Sequence, residues 1–441
     1  MHKKAAVVAL GCPKNIVEAE YVLGILANRG FDLTNNVEQA DIVLIHTCSF
    51  IKSALEESQK TIKKILALKK VRDIKVFVSG CLPQLLKENI YTQFPEIDGF
   101  VGTGDLDKIC DIVLGKDCEI KFQAGGLNSC EFRVLSSNLP FAYLKIAEGC
   151  NHRCSFCIIP NLRGAYKSIS QKEILSQGRR LVESNIAELI LIAQDTTSYG
   201  TDIYNKFCLA NLIEGLAKIP KLKWLRLLYA YPSGINKDLL KVILENENVC
   251  NYIDIPIQHI SRNILSKMHR PLTTKKTIEA LKKDFSDIVL RTSFIVGFPG
   301  ETDRDIYELI DFINQGYFLF AGVFKYSDNP NAKSYKMQDK VLQEVCAARQ
   351  IAVENAQYEV FKREIKKRSG ASSEVLIENF TPCKSGYKIF ARAKFQAPEI
   401  DGKVIFFSKQ KPVIGSFKEI LITGSRGYDI LGKERSNELT K

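Results

Sequence analysis

Cys150, Cys154 and Cys157 stand in a C-x3-C-x2-C frame within GCNHRCSFCIIP at 149–160, directly after an apolar run at 143–147 that reads as a strand. Three thiols on one loop form a multidentate donor, and thiolates are the soft ligands that iron–sulfur clusters, zinc and Cu(I) select. A four-iron cluster held by three local cysteines keeps one iron open for a further ligand. The competing reading is a closed Cys3His zinc site with His152 as the fourth ligand. Closed zinc sites usually pair two knuckles across a longer spacer, and a histidine between the first two cysteines is badly placed to complete a tetrahedron. His152 is therefore read as a loop residue near the cluster.

A second trio is dispersed. Apolar runs at 5–10, 41–46 and 74–78 each stop just before a cysteine, at Cys12, Cys48 and Cys81. Helical patterns at 17–29 and 53–70 separate the runs, which is the rhythm of a small doubly wound parallel sheet. In such sheets ligands bind beyond the carboxyl ends of the strands, so these distant cysteines are expected to converge as a second cluster site. Gly11 and Gly80 suit backbone turning tightly around a bulky group. The remaining cysteines, at 110, 118, 130, 208, 250, 346 and 383, share no such placement and are read as structural.

The elements that must position these residues fill 441 residues, 45% hydrophobic and 25% charged, a globular composition long enough for two or three domains. No run approaches the ~18 apolar residues of a membrane span. The short apolar run after the basic start leads straight into a cysteine motif, unlike a secretory signal, and thirteen cysteines without an export signal argue for a reducing cytoplasm. The formal charge of +12 suits RNA, the ribosome or another polyanion, or is spread over solvated helix faces such as 62–75.

The expected class is α/β, with three units. Residues 1–117 carry the first sheet, and 116–138 lose periodicity and read as a linker. Residues 136–367 place strands at 143–147, 189–193, 224–230, 252–257, 289–297 and 322–326, with helices near 171–184, 209–218, 236–246, 273–284 and 303–315. Six such units predict an open, partial (β/α)6 barrel of the TIM type. A charged helix over 338–368 leads to 368–437, whose short β-rich pieces predict a small antiparallel barrel of about five strands. Active sites of α/β barrels form at the C-terminal strand ends, where polar or glycine breaks supply Gln194, Asp195, Gln258, His259, Gly297 and Glu301. Helix capping by Asp195 and Thr196, a helix-terminus role for Glu301 and a structural role for His259 compete with ligand contact.

With these pieces together, the chain resembles the methylthiotransferases, a radical S-adenosylmethionine (SAM) family, over essentially its full length. The resemblance rests on GCPKN at 11–15, on Cys48 and Cys81, on GCNHRCSFCIIP followed by Arg163-Gly164, on FIVGFPGET at 294–302, and on a tail that looks like a TRAM domain. It implies two [4Fe-4S] clusters: an auxiliary one on Cys12, Cys48 and Cys81, and a SAM-cleaving one on Cys150, Cys154 and Cys157. One SAM would yield a 5'-deoxyadenosyl radical, and another would methylate sulfur carried at the auxiliary cluster. SAM presents an ammonium, a carboxylate, a ribose and an adenine, for which Gln194, Asp195, Gln258, Gly297 and Glu301 are the candidate contacts. No catalytic side chain beyond the clusters is assigned.

The family has a branch that modifies tRNA adenosine and another that modifies an aspartate of small-subunit ribosomal protein twelve. AQDTTSYGTD at 193–202, DIPIQHIS at 254–261, FKYSDNP at 324–330 and APEIDGKV at 397–404 resemble the second, while Ile260 and Asn161-Leu162 depart from it. The resemblance implies formation of 3-methylthioaspartate, contact with ribosomal RNA through the tail, a flavodoxin- or ferredoxin-type reductant and no membrane partner. From residue 371 on, 12 Lys and Arg stand against 8 Asp and Glu, less basic than a domain reading RNA phosphates would be. A reading from another class is a zinc-stabilised RNA-binding or assembly factor without catalysis.

Overall fold

The computed structural model describes residues 3–116, 122, 124 and 132–435. Strands β1 (Lys4–Ala9), β2 (Asp32–Leu33), β3 (Ile42–Thr47), β4 (Lys75–Gly80) and β5 (Gly99–Val101) form a wholly parallel sheet in the order β2-β1-β3-β4-β5. Its helices are α1 (Pro13–Asn28), α2 (Lys52–Lys69), α3 (Cys81–Leu86), α4 (Ile90–Gln93) and α5 (Ile109–Val113). Alternate residues of a strand face opposite sides. Val43, Ile45, Val76 and Val78 accordingly pack on Ile62, Ile65 and Leu66 of α2. Ile42, Leu44 and Phe77 pack on Val22 and Leu26 of α1 and on Ile109 and Val113 of α5. Helices on both faces make the sheet doubly wound, as expected. Most of the expected linker, with Cys118 and Cys130, lies outside the described residues.

The central domain contributes β6 (Phe141–Lys145), a two-stranded antiparallel clasp of β7 (Ala147–Glu148) and β8 (Lys167–Ser168), then β9 (Glu188–Ile192), β10 (Trp224–Leu227), β11 (Val249–Asp254), β12 (Val289–Val296) and β13 (Phe320–Lys325). Apart from the clasp, these strands form one parallel sheet in the order β13-β12-β11-β10-β9-β6. The helices are α6 (Ile159–Arg163), α7 (Gln171–Glu183), α8 (Leu209–Ala217), α9 (Lys237–Glu245), α10 (Arg262–Lys267), α11 (Thr274–Asp284), α12 (Asp303–Asn314) and α13 (Gln343–Lys367). Leu189, Leu191, Leu225 and Ile253 pack outward on Leu181, Leu212, Leu216 and Ile243 of the helices. Their strand neighbours Tyr143, Ile190, Ile192, Trp224 and Tyr252 share a cluster with Val17 and Tyr21 of α1 and with Val375, Leu376, Ile389 and Phe406 of the tail. The barrel stays open at six strands because the other two domains fill its inner face.

The tail closes as a barrel of β14 (Ser372–Cys383), β15 (Gly386–Ala393), β16 (Val404–Ser408), β17 (Phe417–Arg426) and β18 (Asp429–Glu434), ordered β14-β15-β16-β18-β17. The antiparallel expectation needs one correction: β16 and β18 run parallel. The chain crosses from β16 to β17 before the β17–β18 hairpin turns back, so β18 meets β16 in the same direction. Closure leaves no unpaired sheet edge. The loop between β15 and β16 sits against the central barrel. Asp401, 1% exposed, accepts from the Tyr252 hydroxyl at 2.5 Å and from Arg291 Nε at 3.2 Å, and Glu399 accepts from the Tyr143 hydroxyl at 2.9 Å. Nearby, buried Glu188 accepts from Arg226 Nε at 2.6 Å and from Arg392 of the tail. Among the described residues, no helix is long and apolar enough to cross a membrane.

The first and central domains are joined by a second buried ion cluster. Glu18 on α1 is 0% exposed and accepts from Lys145 Nζ at 3.0 Å, from His46 Nε2 at 3.0 Å and from Arg163 Nη1. Burial by itself would raise its pKa, but the charges of Arg163 and Lys145 and the His46 bond outweigh it and hold the carboxyl well below the usual carboxylate range. A carboxyl whose folded value is depressed stabilises above its unfolded value, and that stabilisation is lost as pH falls through the folded one. Glu18→Gln is expected to destabilise the metal-free protein by about 3 kcal/mol at neutral pH, because two buried cations are left to share the single carboxylate of Glu148. The difference from the wild type should narrow as pH drops below the carboxylate range, measured by unfolding across pH; a constant difference would contradict the ionic role.

Candidate metal centre

Cys12 is the N-cap of α1, Cys48 lies between β3 and α2, and Cys81 opens α3. All three therefore sit at carboxyl ends of neighbouring parallel strands. Gly11 has φ +92, and a Cβ there would lie 2.4 Å from Cys48 Cβ, so the glycine lets the Cys12 and Cys48 loops touch. The room expected for a bulky group at Gly11 is occupied by Cys48 itself. The Cys81 thiol hydrogen-bonds Cys48, which lowers Cys48 and pushes Cys81 well above the ordinary thiol value. Arg163 Nη2 stands 3.3 Å from Cys81 Sγ and 2.7 Å from Asn15 Oδ1. Asn15 Nδ2 in turn donates to the carbonyls of Leu10 and Thr47 at 2.7 and 3.0 Å, which fixes two of the three cysteine loops.

The loop trio follows β6 and is enclosed by the β7–β8 clasp, with Cys150 N donating to Gly164 O at 3.1 Å. Burial pushes Cys150 up to about 11 and Cys157 up to about 12. Arg270 brings positive charge to this trio, with Nη1 3.8 Å from Cys154 Sγ. His152 is committed elsewhere: Nε2 bonds Asp195 Oδ2 at 2.7 Å and the ring stacks on Tyr231 at 3.6 Å. That removes the fourth ligand of the zinc alternative. Among the described residues, no three His, Cys, Asp or Glu groups are arranged to hold a single metal ion. Each trio instead offers three soft donors beside a guanidinium, a donor set suited to an anionic, thiolate-held cluster. Ile158 and Leu162, flanking the second trio, pack on Cys81 of the first. The two sites are thus adjacent.

The candidate cofactor contacts separate into two groups. Gln194 and Asp195 stand beside the loop trio. Gln194 donates to Glu148, and its Oε1 is buried without a partner among the described residues. Asp195 accepts from Thr197 N at 2.9 Å, Ser198 Oγ at 2.6 Å and His152, so it caps its own loop and tethers His152; these bonds hold it below the usual range against the opposing effect of burial. Gln258 has φ +72 and pairs with β12 through its backbone, opposite Phe294. Gly297 has φ +76, and a Cβ there would lie 2.1 Å from Cys346 Sγ, so α13 packs where a side chain would be. Its N–H donates to Glu301 Oε1 at 2.7 Å, and Arg349 Nη1 also donates to that oxygen at 3.0 Å. Glu301 Oε2 faces His259 Nε2 at 3.6 Å, both without a hydrogen bond among the described residues. Burial pushes Glu301 up and His259 down to about 4.

Several site residues were not anticipated. Lys145 interrupts the apolar run YLKIA, and a charge inside a buried strand signals a hidden counter-charge; here it bonds Glu18 and, at 2.8 Å, Glu148. Arg163, which the sequence marks only as part of its motif, bonds Glu18 and Asn15 and lies beside Cys81. Lys14, brought by burial down to about 8, places Nζ 3.0 Å from the centre of the Tyr229 ring.

Models of three families match successive segments: uncharacterized protein family UPF0004 over residues 4–102, the radical SAM superfamily over 144–313 and the TRAM domain over 370–434. Among solved structures, a radical S-adenosylmethionine methyltransferase, TsrM, from Kitasatospora setae aligns with a TM-score of 0.56 at 13% identity, covering 76% of this chain and 74% of that one, a likeness of fold. The ribosomal protein uS12 methylthiotransferase RimO of Endomicrobium trichonymphae is 52% identical over 96% of this chain and 97% of its own length. The protein of the same name from Clostridioides difficile (strain 630) is 40% identical over 97% of this chain and 98% of its own. With that identity sustained from end to end, and with both cysteine trios assembled at one junction, the chain belongs to the RimO methylthiotransferase family.

Proposed function

We propose that this chain inserts a methylthio group at the β-carbon of an aspartate in ribosomal protein uS12, with Cys12, Cys48 and Cys81 holding one [4Fe-4S] cluster and Cys150, Cys154 and Cys157 the other. The observation that carries the reading is the position of Arg163. It closes α6, which begins two residues after Cys157, and its guanidinium lies 3.3 Å from Cys81 Sγ, so the two trios are neighbours. When bound, the clusters and SAM supply a hydrogen-abstracting radical on one side and a sulfur donor on the other.

The chain's own residues hold, orient and shield. Arg163 and Arg270 offset the charge of the thiolates beside them. Arg270 lies 4.2 Å over Tyr231, whose ring stacks on His152, and Asp195 holds that histidine, so one packed column fixes the loop trio. Gln194 offers SAM a free acceptor at Oε1. Asp195, Gln258, Gly297 and Glu301 complete the proposed SAM contacts, Gly297 and Glu301 by shaping the backbone after β12. The working units are residues 1–117, 136–367 and 368–437, in keeping with the three matched segments. The tail is assigned to ribosomal RNA contact, a flavodoxin- or ferredoxin-type protein to electron supply, and the site of action to the cytoplasm, where ribosomes are.

Cys154→Ala is expected to abolish 5'-deoxyadenosine formation, whereas Cys48→Ala should leave it measurable and stop methylthiolation; equal loss of both activities in both variants would contradict the division of roles. In a deletion strain, mass spectrometry should find the methylthio mark missing from uS12 and intact on tRNA. Loss from tRNA alone would assign the sister activity. Iron and sulfide should accompany the protein through anaerobic purification, and zinc without iron would point to the non-catalytic reading.

A further inference from the structure

Lys14 is a buried cation without a carboxylate partner. The residue is 7% exposed, and among the described residues no carboxylate, hydroxyl or carbonyl oxygen accepts a hydrogen bond from its ammonium. The other buried cations are served: Lys145 and Arg163 by Glu18, Arg226 and Arg392 by Glu188, Arg291 by Asp254, and Arg270 by the Pro256 carbonyl. Burying an ammonium without a carboxylate costs more than a cation–π contact with Tyr229 returns.

Its placement indicates what the missing partner is. Lys14 lies in the first turn of α1, two residues past Cys12, and reaches across the domain boundary to Tyr229 at the end of β10. Of the anionic groups whose charge acts on it, Cys12 is committed to the proposed cluster, and Glu148 and Asp254 are occupied by Lys145 and Gln194 and by Arg291 and Tyr229 N. Tyr229 is held with φ +59, and its carbonyl accepts from Thr196 N at 3.0 Å, so the ring beneath the ammonium is fixed.

We propose that Lys14 receives the side-chain carboxylate of the substrate aspartate, a role that rests on the aspartate reading above. In that residue the carboxyl carbon is bonded directly to the β-carbon. Pairing the carboxylate with an ammonium on the Cys12 side of the junction therefore fixes the C–H to be broken at the seam between the two trios. A neutral nucleobase offers ring-nitrogen acceptors and no counter-charge, so the same lysine favours the carboxylate substrate.

The test uses the fully reconstituted enzyme and uS12 carrying either its target aspartate or asparagine at that position. The wild type should bind the aspartate form about 30-fold more tightly. Lys14→Met should reduce that ratio to near one by weakening only the aspartate form, and Lys14→Arg should restore part of it. Equal binding of the two forms by the wild type, equal weakening of both by Lys14→Met, or loss of iron from Lys14→Met, which would make the lysine a counter-charge to the cluster, each overturns the assignment. A wild type that modifies tRNA and no protein overturns the functional reading instead, whereas a wild type active on uS12 with an unaltered Lys14→Met ratio removes this inference alone.

Discussion

A single carboxylate sealed from water keeps the two cysteine trios in register. Glu18 belongs to the first domain, and the cations that surround it, Lys145 and Arg163, belong to the second. Removing such charges from water costs several kcal/mol each, which only close, well-directed partners repay. The arrangement is directional as well as cohesive: Arg163 bonds Glu18 with one nitrogen and reaches Asn15 and Cys81 with the other. The relative position of the two metal-binding loops is thus set by an ion network with defined angles.

Much of this architecture was legible because its signals are local. An apolar run followed by a cysteine marks a strand end whether or not its neighbours are known, and three such ends in a parallel sheet must lie side by side. Helix limits came within a few residues for the same reason; α12, for example, has its capping box at Thr302 and Asp305 written in the sequence. What escaped was non-local. β2 and β5 are two and three residues long and exist only as partners of longer strands. The parallel pairing of β16 with β18 depends on chain routing, which side-chain pattern does not encode. Asp195 illustrates the middle case. The helix capping expected of it is replaced by a turn, since no helix begins there and its oxygens hold Thr197 and Ser198 of its own loop, and its bond to His152 required the fold.

The metal-free thiols are also informative. Burial holds Cys150 and Cys157 protonated, and the Cys81 thiol donates to Cys48. Ligation requires thiolates, so loading either trio must release protons. The guanidinium beside each trio favours the thiolate form, so Arg163 and Arg270 serve assembly of the centres as well as their steady state.

The loop between β15 and β16 lies under the central barrel, with Asp401 and Glu399 bonded to the inward-facing Tyr252 and Tyr143 and with Arg392 sharing Glu188 with Arg226. A tail anchored in this way cannot swing on a tether to search for its target. Whatever surface the tail meets, the central domain is presented with it in one attitude, and the bearing of the cleft is decided at first landing.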